Sequence, residues 1–295
     1  MGIEINQIGS TFAAEVTGID LLRRLTNDEV SAIEAGMDNY ATLVFHDQAF
    51  DDDQQIEFSR NFGEIELAEG AHVRTEAQRR LKLELADVGN LDLDGKVFDR
   101  GDRRRMFNLG NQLWHSDSSF RPTPAKYSLL SARAIPTAGG NTEFADMRAA
   151  YDALDDETKA ELEDLICEHS LIYSRGQLGF SEFSEEEKKI FTPVRQCLVR
   201  SHPVTGRKSL YLASHIGTII GRPMPEARAL IRDLTEHATK PEFVYSHKWK
   251  VGDLVMWDNR QTLHRARPFK DTKEVRDMRR TTIAGDGPTA AQIAA

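Results

Sequence analysis

The sequence predicts a mainly β protein with peripheral helices, a double-sheet architecture of the jelly-roll type. Three observations lead there. From Gln112 onward, short apolar runs of strand length alternate with turns rich in Gly, Asn and Asp. Helical periodicity is confined to a few capped segments. No Pro/Gly/Ser-rich linker divides the 295 residues, a length that a single β domain can reach, so residues 1–295 are read as one domain.

The elements follow in chain order. In "LTNDEVSAIEAGMDNY", Thr26 and Glu29 form a capping box that opens an amphipathic helix. The strand-like "ATLVF" comes next, and then a second helix through "DDQQIEFSRNFG", closed by Gly63. Residues 64–112 are rich in charge and turn signals, with "GNLDLDGK" reading as a loop or hairpin. "AKYSLLSARAI" is a strand and "GGN" a turn whose glycines permit positive φ. "ADMRAAYDALDDETKAELEDL" reads as a helix capped by Asp146, and "MPEARALIRDLTEHA" as a later one. "EFVYSHKWKVGDLVMWDN" gives two strands around the hairpin-type dipeptide Gly252-Asp253, and the small-residue tail after Gly285 is expected to fray.

Composition narrows the function classes. A hydrophobic content of 40% is enough for a large core, and a formal charge of −9 opposes non-specific attraction to nucleic-acid phosphates or anionic lipid. The basic run Arg103–Arg105 is expected to be a solvated loop able only to steer a small anion locally. Cys167 and Cys197 show no CxxC spacing, which suggests a reducing compartment. The start lacks a basic-then-apolar leader, Asn6 stands where a myristoylation signal needs Ser or Thr, and no apolar run approaches a membrane span. A cytoplasmic protein without nucleic-acid or membrane partners is expected, and a homo-oligomeric state stays open.

Chemistry enters at "LWHSDSSF". Read as a strand, this stretch turns His115 and Asp117 to one face with Ser116 on the other, so an imidazole and a carboxylate converge. Far downstream, "VMWDNRQTLHRA" adds His264 just past a strongly apolar strand. Two histidines and one carboxylate match the facial triad that leaves coordination positions of Fe(II) open, although catalytic zinc can take the same set. In "VRDMRRTTI", a strand places Arg276, Met278 and Arg280 on one face and Arg279 on the other. Guanidiniums directed into a β interior are costly unless anions meet them there, and Arg is suited to bidentate carboxylate recognition. His202 and His215, with His169, His237 and His247, read as structural imidazoles, since the triad is complete without them.

The ordered segments "QQIEFSRNFG", "NQLWHSDSSF", "GGNTEFADMRAAYDAL", "WKVGDLVMWDNRQTLHRA" and "RRTTI" resemble the taurine dioxygenase-like family of Fe(II)/2-oxoglutarate-dependent dioxygenases. The resemblance is closest to the branch that cleaves 2,4-dichlorophenoxyacetate and related aryloxyalkanoates. It covers most of the chain and implies a double-stranded β-helix, the family form of the jelly roll. It assigns His115, Asp117 and His264 to iron, and Thr142 with Arg276 to the distal carboxylate of 2-oxoglutarate. Arg280 is to receive the acid group of a small-molecule carboxylate substrate, with Asn111 nearby and His72 or Lys96 adding a contact from the loop side. Residues 64–80 and the lid-like "YSRGQLGFSEFSEEEKK" are where the sequence is least like its relatives.

The implied reaction consumes O2 and 2-oxoglutarate, yields succinate and CO2, and hydroxylates the carbon next to an ether oxygen, so that the product falls apart to a phenol and glyoxylate. Ascorbate is expected to sustain activity in vitro. Rival readings are the same chemistry on a sulfonate or alkyl sulfate, a hydrolytic zinc site, and a metal-binding sensor without turnover. Leu113 and Phe120 are candidates for an apolar wall facing a flat ring.

Overall fold

The computed structural model describes residues 2–67 and 79–292. It opens with β1 (Glu4–Gln7), β2 (Ala14–Thr17), α1 (Asn27–Tyr40), β3 (Thr42–Phe45), α2 (Asp52–Arg60), β4 (Ala86–Asp87) and α3 (Arg103–Asn108). The middle holds β5 (Ala125–Ala134), β6 (Thr142–Asp146), α4 (Met147–Asp152), α5 (Asp156–Leu162), β7 (Ile166–His169), α6 (Leu171–Gly176), α7 (Glu185–Ile190) and β8 (Val194–Cys197). The last part contains β9 (Val199–Ser201), β10 (Lys208–Leu210), β11 (Ile216–Ile219), α8 (Met224–Ala238), β12 (Val244–His247), β13 (Leu254–Asp258), β14 (Thr262–Ala266) and β15 (Asp277–Ala284). No helix among the described residues is long and apolar enough to cross a membrane.

A seven-stranded sheet in the order β1-β2-β3-β13-β5-β15-β4 faces a smaller one in the order β12-β6-β14. Side-chain alternation explains the layering. From β13, Leu254 and Met256 join the helix-side cluster with Ile33 and Met37 of α1 and Phe58 of α2. Val255 and Trp257 point the other way and meet Phe144 of the smaller sheet, with Leu130, Ala132 and Met278 beside them. Phe144 is fully buried, and burial of one such side chain contributes about 1.5–3 kcal/mol. The opposite face of β6 and β14, through Ala145 and Leu263, packs against residues of α4, α5 and α8. The architecture is the mainly β double-stranded helix that the sequence predicts.

Several local expectations change. Thr26 does cap α1 with a full capping box, but the helix read through 145–165 is two. Asp155 caps α5 and accepts from the Thr158 amide, so the chain turns before it. β12 and β13, read as a hairpin, belong to different sheets: β12 pairs with β6, and β13 pairs with β3 and β5. Gly252, at φ +88, carries the crossing between layers. Arg103–Arg105 is not a solvated loop. It starts α3, and its guanidiniums pair with Glu187, Asp102 and Asp271 respectively. The tail does not fray where it is described: Thr289 accepts from the Cys197 amide at 3.0 Å, and Gln292 accepts from the Arg195 amide at 2.9 Å.

Candidate active site

The two histidines meet through the backbone. His115 and His264 form an isolated antiparallel bridge, with the His115 amide donating to the His264 carbonyl at 3.0 Å and the reverse bond at 2.9 Å. Their rings lie 4.1 Å apart between centroids. "LWHSDSSF" is therefore no strand. His115 is a single bridge residue, after which the chain turns over with Ser118 at φ +55. Asp117 reaches the histidines from that turn: its Oδ1 lies 3.9 Å from His115 Nε2, and its Oδ2 lies 3.6 Å from His264 Nε2.

A buried scaffold fixes the turn. Asn259, next to the end of β13, accepts the Asp117 amide at 3.0 Å and Trp257 Nε1 at 3.1 Å through its Oδ1. Its Nδ2 donates to Ser128 Oγ at 2.9 Å, and Ser128 donates to Asp117 Oδ2 at 2.7 Å. Ser116 Oγ donates to the Asn259 carbonyl at 2.8 Å. On the other side, Arg280 donates to Asp117 Oδ1 at 2.5 Å.

Electrostatics prepare these groups as ligands. Burial pushes the Asp117 carboxyl up, but the Arg280 guanidinium and then both imidazoles pull it further down, to about 2. Burial lowers His115 to about 4 despite the attraction of Asp117. His264 is pushed well below the ordinary value, again chiefly by burial. Both imidazoles are thus neutral and the carboxylate ionised near neutral pH. His115 Nδ1 donates to the Leu113 carbonyl at 2.8 Å, which leaves Nε2 with its lone pair toward Asp117. His264 Nδ1 is buried without a hydrogen-bond partner. The ligand-type atoms of the three residues lie within 4.8 Å of one another, the one such metal-competent group found among the described residues. The donor set fits a divalent metal. By itself it suits iron and zinc alike.

His115 and Asp117 line a cavity of about 200 Å³, and His264 sits behind them against Asp117. Asn111, Arg280 and Phe120 share this lining with His115 and Asp117. Leu113 is not among the lining residues. Lys96 sits in an exposed turn closed by the Leu91–Val97 bridge and does not reach the cavity. His72 lies outside the described residues. The arginine segment carries a bulge between Asp277 and Met278, yet Met278 is a core residue and Arg279 turns outward to Asp52 of α2.

Arg276 is 5% exposed, and burial lowers its guanidinium to about 10. Its NH1 donates to the Val88 carbonyl at 2.9 Å, and among the described residues no carboxylate pairs with it. The turn leading to Thr142 passes beside it. Gly140, at φ +70, has room for no Cβ, which would stand 2.9 Å from Pro136 and 3.8 Å from Arg276 Nε. Thr142 opens β6, is buried, and accepts from Trp249 Nε1 at 3.0 Å.

Sequence reasoning missed three parts of the site. Asn259 and Ser128 hold the Asp117 turn. His215, read as structural, lines the cavity with its ring edge toward His115 and its Nδ1 2.9 Å from Ser119 Oγ. Arg175, from the lid-like segment, is buried in the same wall. Asn259 stood five residues before His264 inside a quoted motif, but its role depends on contacts that spacing does not reveal.

Comparison with known proteins identifies the family. Residues 4–282 match the family described as taurine catabolism dioxygenase TauD, TfdA family. The chain is 47% identical over 288 residues, covering 97% of it and 99% of the relative, to the alpha-ketoglutarate-dependent 2,4-dichlorophenoxyacetate dioxygenase of Cupriavidus pinatubonensis. It is 37% identical to the (S)-phenoxypropionate/alpha-ketoglutarate-dioxygenase of Sphingobium herbicidovorans, with 99% and 98% of the two chains covered. It is also similar to the crystal structure of AAD-2 in complex with Mn(II) and N-oxalylglycine, at a TM-score of 0.96 and 60% identity, covering 98% of this chain and 100% of that one. With a full-length family match, and relatives that share its length as well as its sequence, the chain belongs to the TauD/TfdA dioxygenase family.

Proposed function

We propose that this chain, acting as one dioxygenase domain, uses Fe(II), 2-oxoglutarate and O2 to hydroxylate the carbon next to the ether oxygen of aryloxyacetates such as 2,4-dichlorophenoxyacetate. The products are a phenol, glyoxylate, succinate and CO2. The observation that carries the reading is the convergence of His115, Asp117 and His264 within 4.8 Å, two of them, His115 and Asp117, lining a cavity. Relatives named for 2,4-dichlorophenoxyacetate and phenoxypropionate support the substrate class.

In this reading His115 Nε2, one Asp117 oxygen and His264 hold the metal, and Arg276 with Thr142 takes the distal carboxylate of 2-oxoglutarate. When bound, iron and 2-oxoglutarate supply the oxidation of a C–H bond by O2. The chain's own part is positioning. Ser128 and Asn259 fix the Asp117 carboxylate, the Leu113 carbonyl sets the His115 tautomer, and buried walls exclude water. Arg280 and Asn111 border the substrate's acid group.

The cavity favours an aryloxyacetate over an aminosulfonate. Its walls include Leu81, Leu83, Leu85 and Leu171, apolar surface for a ring. The acids that line it beside Asp117 already have arginine partners: Glu66 with Arg121 at 3.5 Å, Glu84 with Arg60 at 3.7 Å and Asp87 with Arg80 at 2.9 Å. A substrate ammonium would find no free carboxylate among these.

The test is a substrate panel with Fe(II), ascorbate and 2-oxoglutarate, following succinate and phenol together. Phenoxyacetates should release phenol and glyoxylate with kcat/KM about tenfold or more above taurine, a margin of about 1.4 kcal/mol. Equal or better turnover of taurine or an alkyl sulfate would overturn the substrate class and keep the chemistry. Hydrolysis without oxygen uptake would overturn both.

A further inference from the structure

The cavity contains a guanidinium to which the roles above give no work. Arg175, on α6, is 5% exposed and lines the same cavity as His115 and Asp117. No carboxylate among the described residues pairs with it. Its hydrogen bonds are long ones to neutral oxygens, Ser174 Oγ at 3.3 Å and Asn111 Oδ1 at 3.2 Å, and its Nε is buried without a partner. Burial lowers it to about 10, with Asp117 opposing the shift, so it stays cationic near neutral pH.

Other buried arginines of this chain are treated differently. Arg148 and Arg260, 1% and 4% exposed, each donate through Nε and NH2 to both oxygens of a nearby aspartate, Asp146 and Asp258. Leaving a buried guanidinium uncompensated costs several kcal/mol. The surroundings nevertheless hold Arg175 in place. Its Cζ stacks 4.6 Å from the centroid of Phe107. On another side Gly110 makes way for it, since a Cβ there would stand 2.3 Å from Arg175 Cζ. Arg280 offers less to an incoming anion, because one of its nitrogens is already on Asp117.

We propose that Arg175 is a second anion-binding residue of the substrate site, sharing the aryloxyacetate carboxylate with Arg280 and steadied by Asn111, Phe107 and Gly110. The assignment rests on the dioxygenase reading for the identity of the anion. It explains why a cation is seated in the cavity lining with no counter-charge among the described residues: the substrate brings the counter-charge. It also gives Asn111 a definite task, that of orienting the Arg175 fork. A guanidinium makes two parallel bonds to a carboxylate, so Lys at this position should replace the charge and lose the geometry.

The experiment is anaerobic calorimetric titration of the Fe(II)- and 2-oxoglutarate-loaded protein with phenoxyacetate and with its neutral isostere phenoxyacetamide. Arg175→Leu should weaken phenoxyacetate by about thirtyfold or more, the lower end of the effect of losing one partner of a buried charge-assisted pair. The amide should change by less than about threefold, and Arg175→Lys should recover part of the loss for the acid. Gly110→Ala keeps the charge but pushes on the guanidinium. It should weaken the acid selectively too, and it stands as the test if Arg175→Leu does not fold.

Unchanged acid affinity in Arg175→Leu, or in Gly110→Ala where the first variant is lost, would overturn the proposal. So would equal losses for acid and amide, which would make Arg175 a packing residue. Wild-type protein that ignores phenoxyacetate but binds taurine or an alkyl sulfate in an Arg175-dependent way would overturn the aryloxyacetate reading and uphold the anion site. Wild-type protein that binds none of these anions would overturn both.

Discussion

Two buried polar clusters draw on residues a few positions apart, Asp258 at the end of β13 and His264 on β14, and they are finished differently. At Asp258 the chain supplies partners for both carboxylate oxygens. Arg260 donates to both carboxylate oxygens, Gln261 Nε2 donates at 2.8 Å, and His202 Nε2 lies 3.3 Å away. Burial pushes Asp258 up, but Arg260 and His202 hold it far below the usual carboxylate range. At His115, Asp117 and His264 burial is as deep, but compensation stops short. His264 Nδ1, Arg280 Nε and Arg175 Nε are unpaired, and among the described residues no carboxylate pairs with Arg276. Between these two clusters the difference therefore lies not in the burial of charge but in how far that charge is paired.

The largest effect expected from this contrast is on turnover. His115→Ala, Asp117→Ala and His264→Ala should each lower 2-oxoglutarate-coupled oxygen uptake by about a thousandfold or more, since each removes a proposed metal ligand. Melting temperatures of His115→Ala and His264→Ala should stay within about 3 °C of wild type, because no hydrophobic core is emptied. Full activity in any one would remove that residue from the triad.

Asp258→Ala should do the reverse. It strands Arg260 in the interior, and breaking a buried pair in this way costs about 3–5 kcal/mol. Denaturant unfolding should show that loss while the surviving folded enzyme keeps a near-normal kcat. A stable Asp258→Ala protein with no activity would invert the comparison.

Arg276 and Arg280 should separate by a smaller margin. Arg276→Ala is expected to raise KM for 2-oxoglutarate, and Arg280→Ala to raise KM for the substrate acid, each by about 2–3 kcal/mol in binding. Initial-rate kinetics varying one substrate at a time would show it. Identical profiles for the two variants would mean that one anion serves both.

His169 sharpens the comparison from the structural side. It is fully buried, stacks on Tyr211, has no hydrogen-bond partner on either ring nitrogen, and is lowered to about 3, mainly by burial. A depressed imidazole pKa favours the folded state fully above the unfolded value near 6.5, and that contribution falls away as pH drops toward the folded value. Between these limits the slope is about 1.4 kcal/mol per pH unit for one group. Stability of metal-free His169→Phe measured from pH 7 to pH 5 should therefore fall less steeply than wild type, by about 1 kcal/mol per unit. An unchanged slope would mean that His169 is protonated in the fold.

These contrasts also mark how far the sequence carries. Local chemistry was legible: the Thr26–Glu29 box does begin α1, and the His-x-Asp with a distant His does come together. The route differs from alternation along a strand, since His115 is a bridge residue and Asp117 sits in the turn after it. Pairing between distant segments was not legible. Period-two patterning around Gly252 reveals two strands but not that they enter different sheets. The resemblance places Lys96 near the substrate, but the Leu91–Val97 turn carries it out to solvent. Arg175 gave no signal in "YSRGQLGF", because lacking a partner is a property of three-dimensional surroundings.

The most direct test of the central claim is an anaerobic Fe(II) titration in the presence of 2-oxoglutarate, comparing wild type, His264→Ala and Asp258→Asn. The incompletely paired cluster predicts saturable binding of one Fe(II) per wild-type chain, its loss in His264→Ala, and its survival in folded Asp258→Asn. Binding that is indifferent to His264, or no saturable binding in wild type, would contradict the account.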